Sequence, residues 1–256
     1  MTLLTHILTH PLTRGLDIDD PRTTALRRRI IREKPFLLRI YREWYSALVE
    51  SLPTGDGAVL ELGSGAGFLD EVLSGVITSE IFACPGVRLV ADGQLLPLAD
   101  ESLRGIVMSD VLHHIPNPRR FFTEAGRCVR AGGVVAMIEP WVTGWSKLVY
   151  TRLHHEPFRP DADEWEIPRG GPLSGANGAM PWILFHRDRR QFEQEFPQWE
   201  IRGVEPLMPL RYLLSGGVSK RSLMPGWSFG VWRGIEAPLC RKAAMFAKIV
   251  LVKRGE

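Results

Sequence analysis

Three glycines at alternate positions, Gly63, Gly65 and Gly67, follow directly on the strand-like run AVLEL (58–62). A GxGxG turn lets the backbone double back and approach a ligand where a Cβ would intrude. A dinucleotide loop wants its third glycine one place later, in GxGxxG, and Phe68 holds that place, so the spacing disfavours NAD. Glu61 stands just before the loop, where packing alone seldom chooses a charge; a carboxylate there can meet the cationic amino end of a ligand, directly or through water. Glu80 follows nineteen positions later, close to the interval of roughly 20 at which such folds set a carboxylate on ribose hydroxyls. Its lone pairs suit a diol. Asp92 closes the third apolar run, where its carboxylate can accept from an adenine amine. Ser64, Ile81 and Gly93 flank these acids in sequence.

A second group of residues could handle a proton. SDVLHHIPNP brings Ser109, His113 and His114 to the end of a fourth run, and histidine titrates nearest neutrality. A structural or cofactor-wall role is the other use of His114. Glu139 ends a fifth run before Pro140, at the mouth where open α/β sheets bind ligands, so acceptor binding or base work is open to it. His154, His155 and His186 are further candidates.

These residues need a parallel sheet to position them. Asp20 and Pro21 can open a helix ending near Lys34, and Leu37, Tyr41, Trp44, Tyr45 and Leu48 mark one face of a second. Tyr41 and Tyr45 are expected to pack as core, with a hydroxyl able to reach a ligand carboxylate. Strands are predicted at AVLEL, GVITSE, VRLVAD, RGIVMS and VVAMIEP, with a compact helix over about 67–73 and another opened by Asn117 and Pro118, striped by Phe121, Ala125, Cys128 and Val129, and stopped by Gly132 and Gly133. This βαβ rhythm is that of a sheet covered by helices. Residues 141–180 show no clean period and are too long for an ordinary loop, which marks them as a lid; Trp141, Trp145, Tyr150 and Phe158 could keep it dry. PWILFHRDRRQFEQEF looks helical, QWEIRGVEP and AMFAKIVLVKR strand-like, and 207–241 interrupts what could have been a hairpin.

Composition excludes several classes. With 32 basic and 29 acidic side chains among 256 residues, the chain lacks the field of a dedicated nucleic-acid binder. Arg27, Arg28, Arg29, Arg32 and Lys34 crowd into about two helical turns, read as a solvated face or as a patch for an anionic acceptor or membrane surface. Cys84, Cys128 and Cys240 have no partner at metal-ligand spacing, so no metal is expected. No apolar stretch approaches the roughly 20 residues of a membrane span, the start does not read as a secretory signal, and a cytoplasmic protein is expected.

The order glycine loop, acid, acid, then SDVLHHIPNP resembles the type 11 class I methyltransferases, related to the ubiquinone and menaquinone methylases, over residues 57–140. The resemblance implies a Rossmann-like αβα fold on a mostly parallel seven-stranded sheet, in one domain: cap helices (1–55), cofactor core (56–140), lid (141–180) and a C-terminal part (181–256) carrying the 207–241 insertion. It implies S-adenosylmethionine as cofactor, with Glu61 to Gly67 as the first cofactor motif, Glu80 as the ribose acid, Asp92 to Pro97 on the adenine side and Ser109 to Pro116 beside the methionyl part. Only IFACPG separates the second and third strands where the family carries a helix, which leaves the adenine pocket more open and Phe82 free to cover the ring.

Methyl transfer to a small-molecule acceptor, such as an oxygen of a glycan, a lipid-linked intermediate or a secondary metabolite, is the leading expectation. The basic and aromatic late segment, with Arg211, Tyr212, Lys220, Arg221, Trp227 and Trp232 around Gly216 and Gly217, suits acceptor binding; a subunit interface, and so a homodimer, is equally economical. The alternatives are a catalytically silent cofactor-binding partner, a nicotinamide oxidoreductase and a nucleic-acid modifier; for the last no base-flipping motif is present.

Overall fold

The computed structural model describes residues 19–154, 156–167, 170–171 and 174–255. Asp20 caps the first helix, α1 (Pro21–Glu33), by accepting from Arg22 N at 2.8 Å. Pro35 restarts the chain as α2 (Pro35–Val49), whose buried face holds Phe36, Leu37, Ile40, Trp44, Tyr45 and Leu48. Both helices begin with proline, whose fixed φ suits the first turn.

Seven strands form one sheet: β1 (Ala58–Glu61), β2 (Ile77–Glu80), β3 (Leu89–Val90), β4 (Leu103–Ser109), β5 (Val129–Pro140), β6 (Trp199–Leu207) and β7 (Phe246–Lys253), in the order β3-β2-β1-β4-β5-β7-β6. β3, β2, β1, β4 and β5 run parallel. β7 is antiparallel to both β5 and β6. The chain order reverses across β1 and β4, which opens the crevice beyond the carboxyl ends of these strands to a ligand.

Three expectations change. The helix placed over 67–73 is a single 3-10 turn, Leu69–Glu71: the Gly67 N–H closes on the Ser64 carbonyl at one end and Gly75, at φ +80°, breaks the chain at the other. Gly132 and Gly133 do not stop the helix α3 (Pro118–Cys128), capped by Asn117. Val129 already begins β5, and Gly132, at φ +72°, sits where the β5 register on β4 slips from Leu103↔Val129 to Gly105↔Val134, a bulge that glycine accommodates. Third, the segment after β5 contains the helix α4 (Gly144–Leu153), held by a reciprocal Thr143–Ser146 cap.

Beyond α4 the chain passes through Met180–Trp182 into a π-helical turn (Ile183–Arg187) and the short α5 (Arg189–Glu195) before β6. The 207–241 segment folds as α6 (Arg211–Ser215) and α7 (Phe229–Glu236). It docks on α2: Phe36 meets Phe229 edge-on, Trp44 stacks on Tyr212, and Arg211 is buried between Glu43 and Glu236. Among the described residues no helix is long and apolar enough to cross a membrane.

Candidate active site

A cavity of about 760 Å³ opens at the carboxyl ends of β1, β2 and β4 and extends under α4 and the 212–220 loop, within the size range of ligand pockets. Ser64, Gly63, Gly65 and Gly67 line it, with Glu80, Ile81, Asp92, Gly93, Ser109 and His114. The expectation for the glycines needs one refinement, since protein neighbours demand them as much as a ligand could. A Cβ on Gly63, at φ +66°, would stand 2.6 Å from Val111 Cγ2, and one on Gly67 would stand 2.2 Å from the Tyr45 hydroxyl. That hydroxyl accepts from Phe68 N at 3.3 Å, so α2 braces the loop from behind. Tyr41 and Tyr45 both reach the cavity.

Glu80 Oε2, on the cavity wall, and Glu61 Oε2, buried and not part of that wall, have no hydrogen-bond partner among the described residues. Burial pushes each carboxyl up to about 7, against a bond to Ser64 for Glu61 and to the Gly65 backbone for Glu80. A buried polar atom left unpaired is costly, and a ligand bringing an amino group and a ribose diol supplies donors of the kind missing here. S-adenosylmethionine fits that description. Asp92 is more exposed, and its Oδ1 already accepts from Gln94 N and Nε2 at 2.9 and 3.0 Å. Ile81, and not Phe82, lines the wall.

The opposite end is built differently. The Glu139 carboxylate is fully buried; one oxygen accepts from Val111 N at 2.8 Å and Leu112 N at 2.7 Å, the other bonds His113 Nδ1 at 2.7 Å. It was expected to face the sheet mouth. It instead turns sideways to fasten the loop after β4, because that loop crosses the end of the neighbouring parallel strand. Neither Glu139 nor His113 lines the cavity, whereas His114 does. The His114 Nδ1 meets the Gly175 carbonyl at 3.2 Å.

Asp110 and Glu156 complete this end and were not singled out by sequence reasoning. Glu156 follows the His154–His155 pair, and its oxygens stand 3.5 Å from His113 Nε2 and 4.0 Å from His114 Nε2. Asp110 lies at φ +65°, a backbone conformation uncommon outside glycine, with Oδ1 4.0 Å from His113 Nε2. Burial lowers His113 but is outweighed by its bond to Glu139 and by the Glu156 carboxylate beside it, which hold the imidazole well above its ordinary range. Burial and the neighbouring His113 push His114 down to about 3. Burial also lifts Asp110 to about 7, the open part of its side chain facing the cavity rather than bulk water. Glu156 lies well below the carboxylate range, burial being overcome by His113.

His154 lines the cavity, His186 instead packs near Trp182 and Trp141, and His155 lies outside the described residues. The aromatic residues expected to dry a lid are mostly structural: Trp145 donates to the Pro209 carbonyl and Tyr150 to that of Met245, and of the set only Tyr150 also faces the cavity. The basic run disperses. Arg27 lines the cavity, Arg28 pairs with Asp70, Arg29 with Glu33 and Arg32 with Glu71. Buried Lys34, lowered to about 8 by desolvation, bonds the carbonyls of Gly217 and Lys220. Tyr212, Gly216, Gly217 and Lys220 reach the cavity while Trp227 stays exposed.

A methyltransferase domain model matches residues 60–137. An uncharacterized methyltransferase from Mycobacterium bovis (strain BCG / Pasteur 1173P2) is 40% identical over 53 residues, 21% of this chain and 21% of that protein, so the match covers about a fifth of the curated relative's length. Among solved structures, a SAM-dependent methyltransferase from Thermotoga maritima aligns over 90% of this chain and 99% of its own at 16% identity and a TM-score of 0.53. Geranyl diphosphate C-methyltransferase from Streptomyces coelicolor A3(2) aligns over 85% and 77% at 11% identity and 0.52. These two likenesses speak for the fold. The matched residues 60–137 run from β1 into β5 and carry the glycine loop, so this part of the chain is similar to a methyltransferase domain.

Proposed function

We propose that the protein transfers a methyl group from S-adenosylmethionine to a hydroxyl oxygen of a small-molecule acceptor. One observation carries this reading: a single cavity holds unsatisfied Glu80 at one end and His114 with Asp110 at the other, so donor and acceptor fit side by side. When bound, the cofactor supplies a methyl on a positively charged sulfur, open to in-line displacement. Glu80 binds its ribose, Glu61, off the cavity wall, meets its amino group through water, Asp92 stands at the adenine side, and Tyr41 and Arg27 reach the methionyl end.

The acceptor enters under α4 and the 212–220 loop, where Leu153, Leu213, Val218 and Tyr150 give an apolar wall and Lys220 and Arg152 a basic one. Such a mixture suits a glycan, a lipid-linked intermediate or a secondary metabolite carrying an anionic group. His114 and Asp110 face the hydroxyl that gives up its proton. Glu139 and His113 act through them, as positioning residues.

The test is turnover of methyl-labelled S-adenosylmethionine against fractionated cell extract, preceded by calorimetry with the cofactor, its demethylated product and NADH. Labelled product in a small-molecule fraction is expected. Tight cofactor binding with no labelled fraction would instead favour a silent binding partner.

A further inference from the structure

The histidine end of the cavity holds more ligating groups than proton handling requires. His113 Nε2, His114 Nε2 and a Glu156 oxygen all lie within 4.8 Å of one another. Each histidine is oriented by its other nitrogen. His113 Nδ1 bonds the Glu139 carboxylate and His114 Nδ1 the Gly175 carbonyl, both acceptors that call for an N–H. The His114 Nε2 then presents a lone pair, the His113 Nε2 does so once an incoming ion displaces its proton, and both turn toward the same carboxylate. An acceptor behind each ring is the outer-shell arrangement that fixes tautomer and orientation in metal-ligating histidines.

A second observation is independent of this clustering. His113 is 0% exposed, yet its Nε2 has no hydrogen-bond partner among the described residues and faces Glu156 at 3.5 Å. Three carboxylates, Glu139, Glu156 and Asp110, surround the two imidazoles, a concentration of negative charge that a cation relieves.

We infer that His113 Nε2, His114 Nε2 and the Glu156 carboxylate bind a divalent transition-metal ion of the zinc type, with an open position turned to the cavity for an acceptor oxygen. Two histidines, one carboxylate and a vacant place form a known catalytic ligand set for such ions. Ligand atoms around a tetrahedral zinc with bonds of about 2.0–2.1 Å lie roughly 3.3 Å apart, so separations within 4.8 Å must shorten by up to about 1.5 Å, which side-chain rotations of Glu156 and His114 can supply. The acceptor class then narrows to molecules that can anchor through an oxygen, such as phenols, enols and vicinal diols. That narrowing rests on the methyl-transfer reading, whereas the ion site itself does not.

The experiment is titration of metal-stripped protein with Co²⁺, read by visible d–d absorption and by competition with Zn²⁺, alongside calorimetry with S-adenosylmethionine. One Co²⁺ per chain, displaced by Zn²⁺, is expected for the wild type. Glu156→Gln and His114→Ala are expected to lose Co²⁺ affinity at least tenfold while keeping the far-UV circular dichroism and cooperative unfolding of the wild type, which shows that they fold. Glu139→Gln, which keeps all three ligands, should weaken Co²⁺ by about 10–100-fold. A cofactor-competent wild type that takes up no Co²⁺, or uptake unchanged in Glu156→Gln and His114→Ala, overturns the site. Protein that binds Co²⁺ but not S-adenosylmethionine upholds the site and removes the methyl-transfer reading instead.

Discussion

The two ends of the cavity handle buried carboxylates in opposite ways. Glu139 is fully buried and bonded to two backbone N–H groups and an imidazole, whereas Glu61 and Glu80 are nearly as buried and each leaves an oxygen unpaired. Satisfaction comes from the fold in one case and, on the proposed reading, from a ligand in the other. Removing the first kind of carboxylate should therefore damage the protein, and removing the second kind should damage only binding.

The largest expected effect breaks that contrast if it fails. Glu139→Ala strands the Val111 and Leu112 N–H groups and the His113 ring, and should cost about 3–5 kcal/mol in urea unfolding. Glu80→Gln should leave the ligand-free protein no less stable, yet weaken S-adenosylmethionine by about 10–100-fold in calorimetry, or roughly 1.4–2.7 kcal/mol. Equal loss of stability in both would erase the distinction.

A pH series sharpens it. Glu61 and Glu80 titrate near 7 in the folded chain, above the ordinary 4.5, so the stability linked to them is complete below about 4.5 and is lost as pH rises through 7. The Tm of ligand-free protein should fall over that window, and Glu61→Gln combined with Glu80→Gln should flatten the fall. Because cofactor binding pairs the ionised forms, the Tm gain from S-adenosylmethionine should grow over the same range.

Smaller effects test the brace and the basic run. Gly67→Ala drives a methyl into the Tyr45 hydroxyl and should destabilise by about 1–3 kcal/mol; Tyr45→Phe in the same chain should recover part of it in thermal unfolding. Arg29→Ala removes only a surface pair with Glu33, worth about 0.3–0.5 kcal/mol. Arg27→Ala should be as mild in stability but lower cofactor or acceptor affinity roughly tenfold, about 1.4 kcal/mol.

Legibility in the sequence follows the same divide. AVLEL running into GSGAG, the acids Glu80 and Asp92 at strand ends and the Asn117 cap are local signals, and the sheet holds each where local chemistry puts it. The histidine end escaped because its geometry joins distant pieces: Glu156 comes from beyond α4 and Gly175 from further still, and only packing sets them on His113 and His114. Glu139 was noticed for its place on β5 but misdirected, since a strand-end acid says nothing about which neighbouring amides lie within reach. One available signal was passed over: Asp110 sits between Ser109 and the histidine pair, inside a motif already singled out. The basic run misled because α1 splits it by face, so that Arg27 and Lys34 turn inward while Arg29 stays in solvent.

Inserting β7 between β5 and β6 has a consequence for how the molecule is made. Among the described residues β6 pairs with no other strand, so until Phe246–Lys253 leaves the ribosome one edge of β5 and both edges of β6 stay open. Met245, just before β7, contributes to the cavity and receives the Trp141 N–H and the Tyr150 hydroxyl. Nascent chains therefore cannot assemble this side of the cavity before β7 emerges; it closes when the long-range pairing that is slowest to form falls into register.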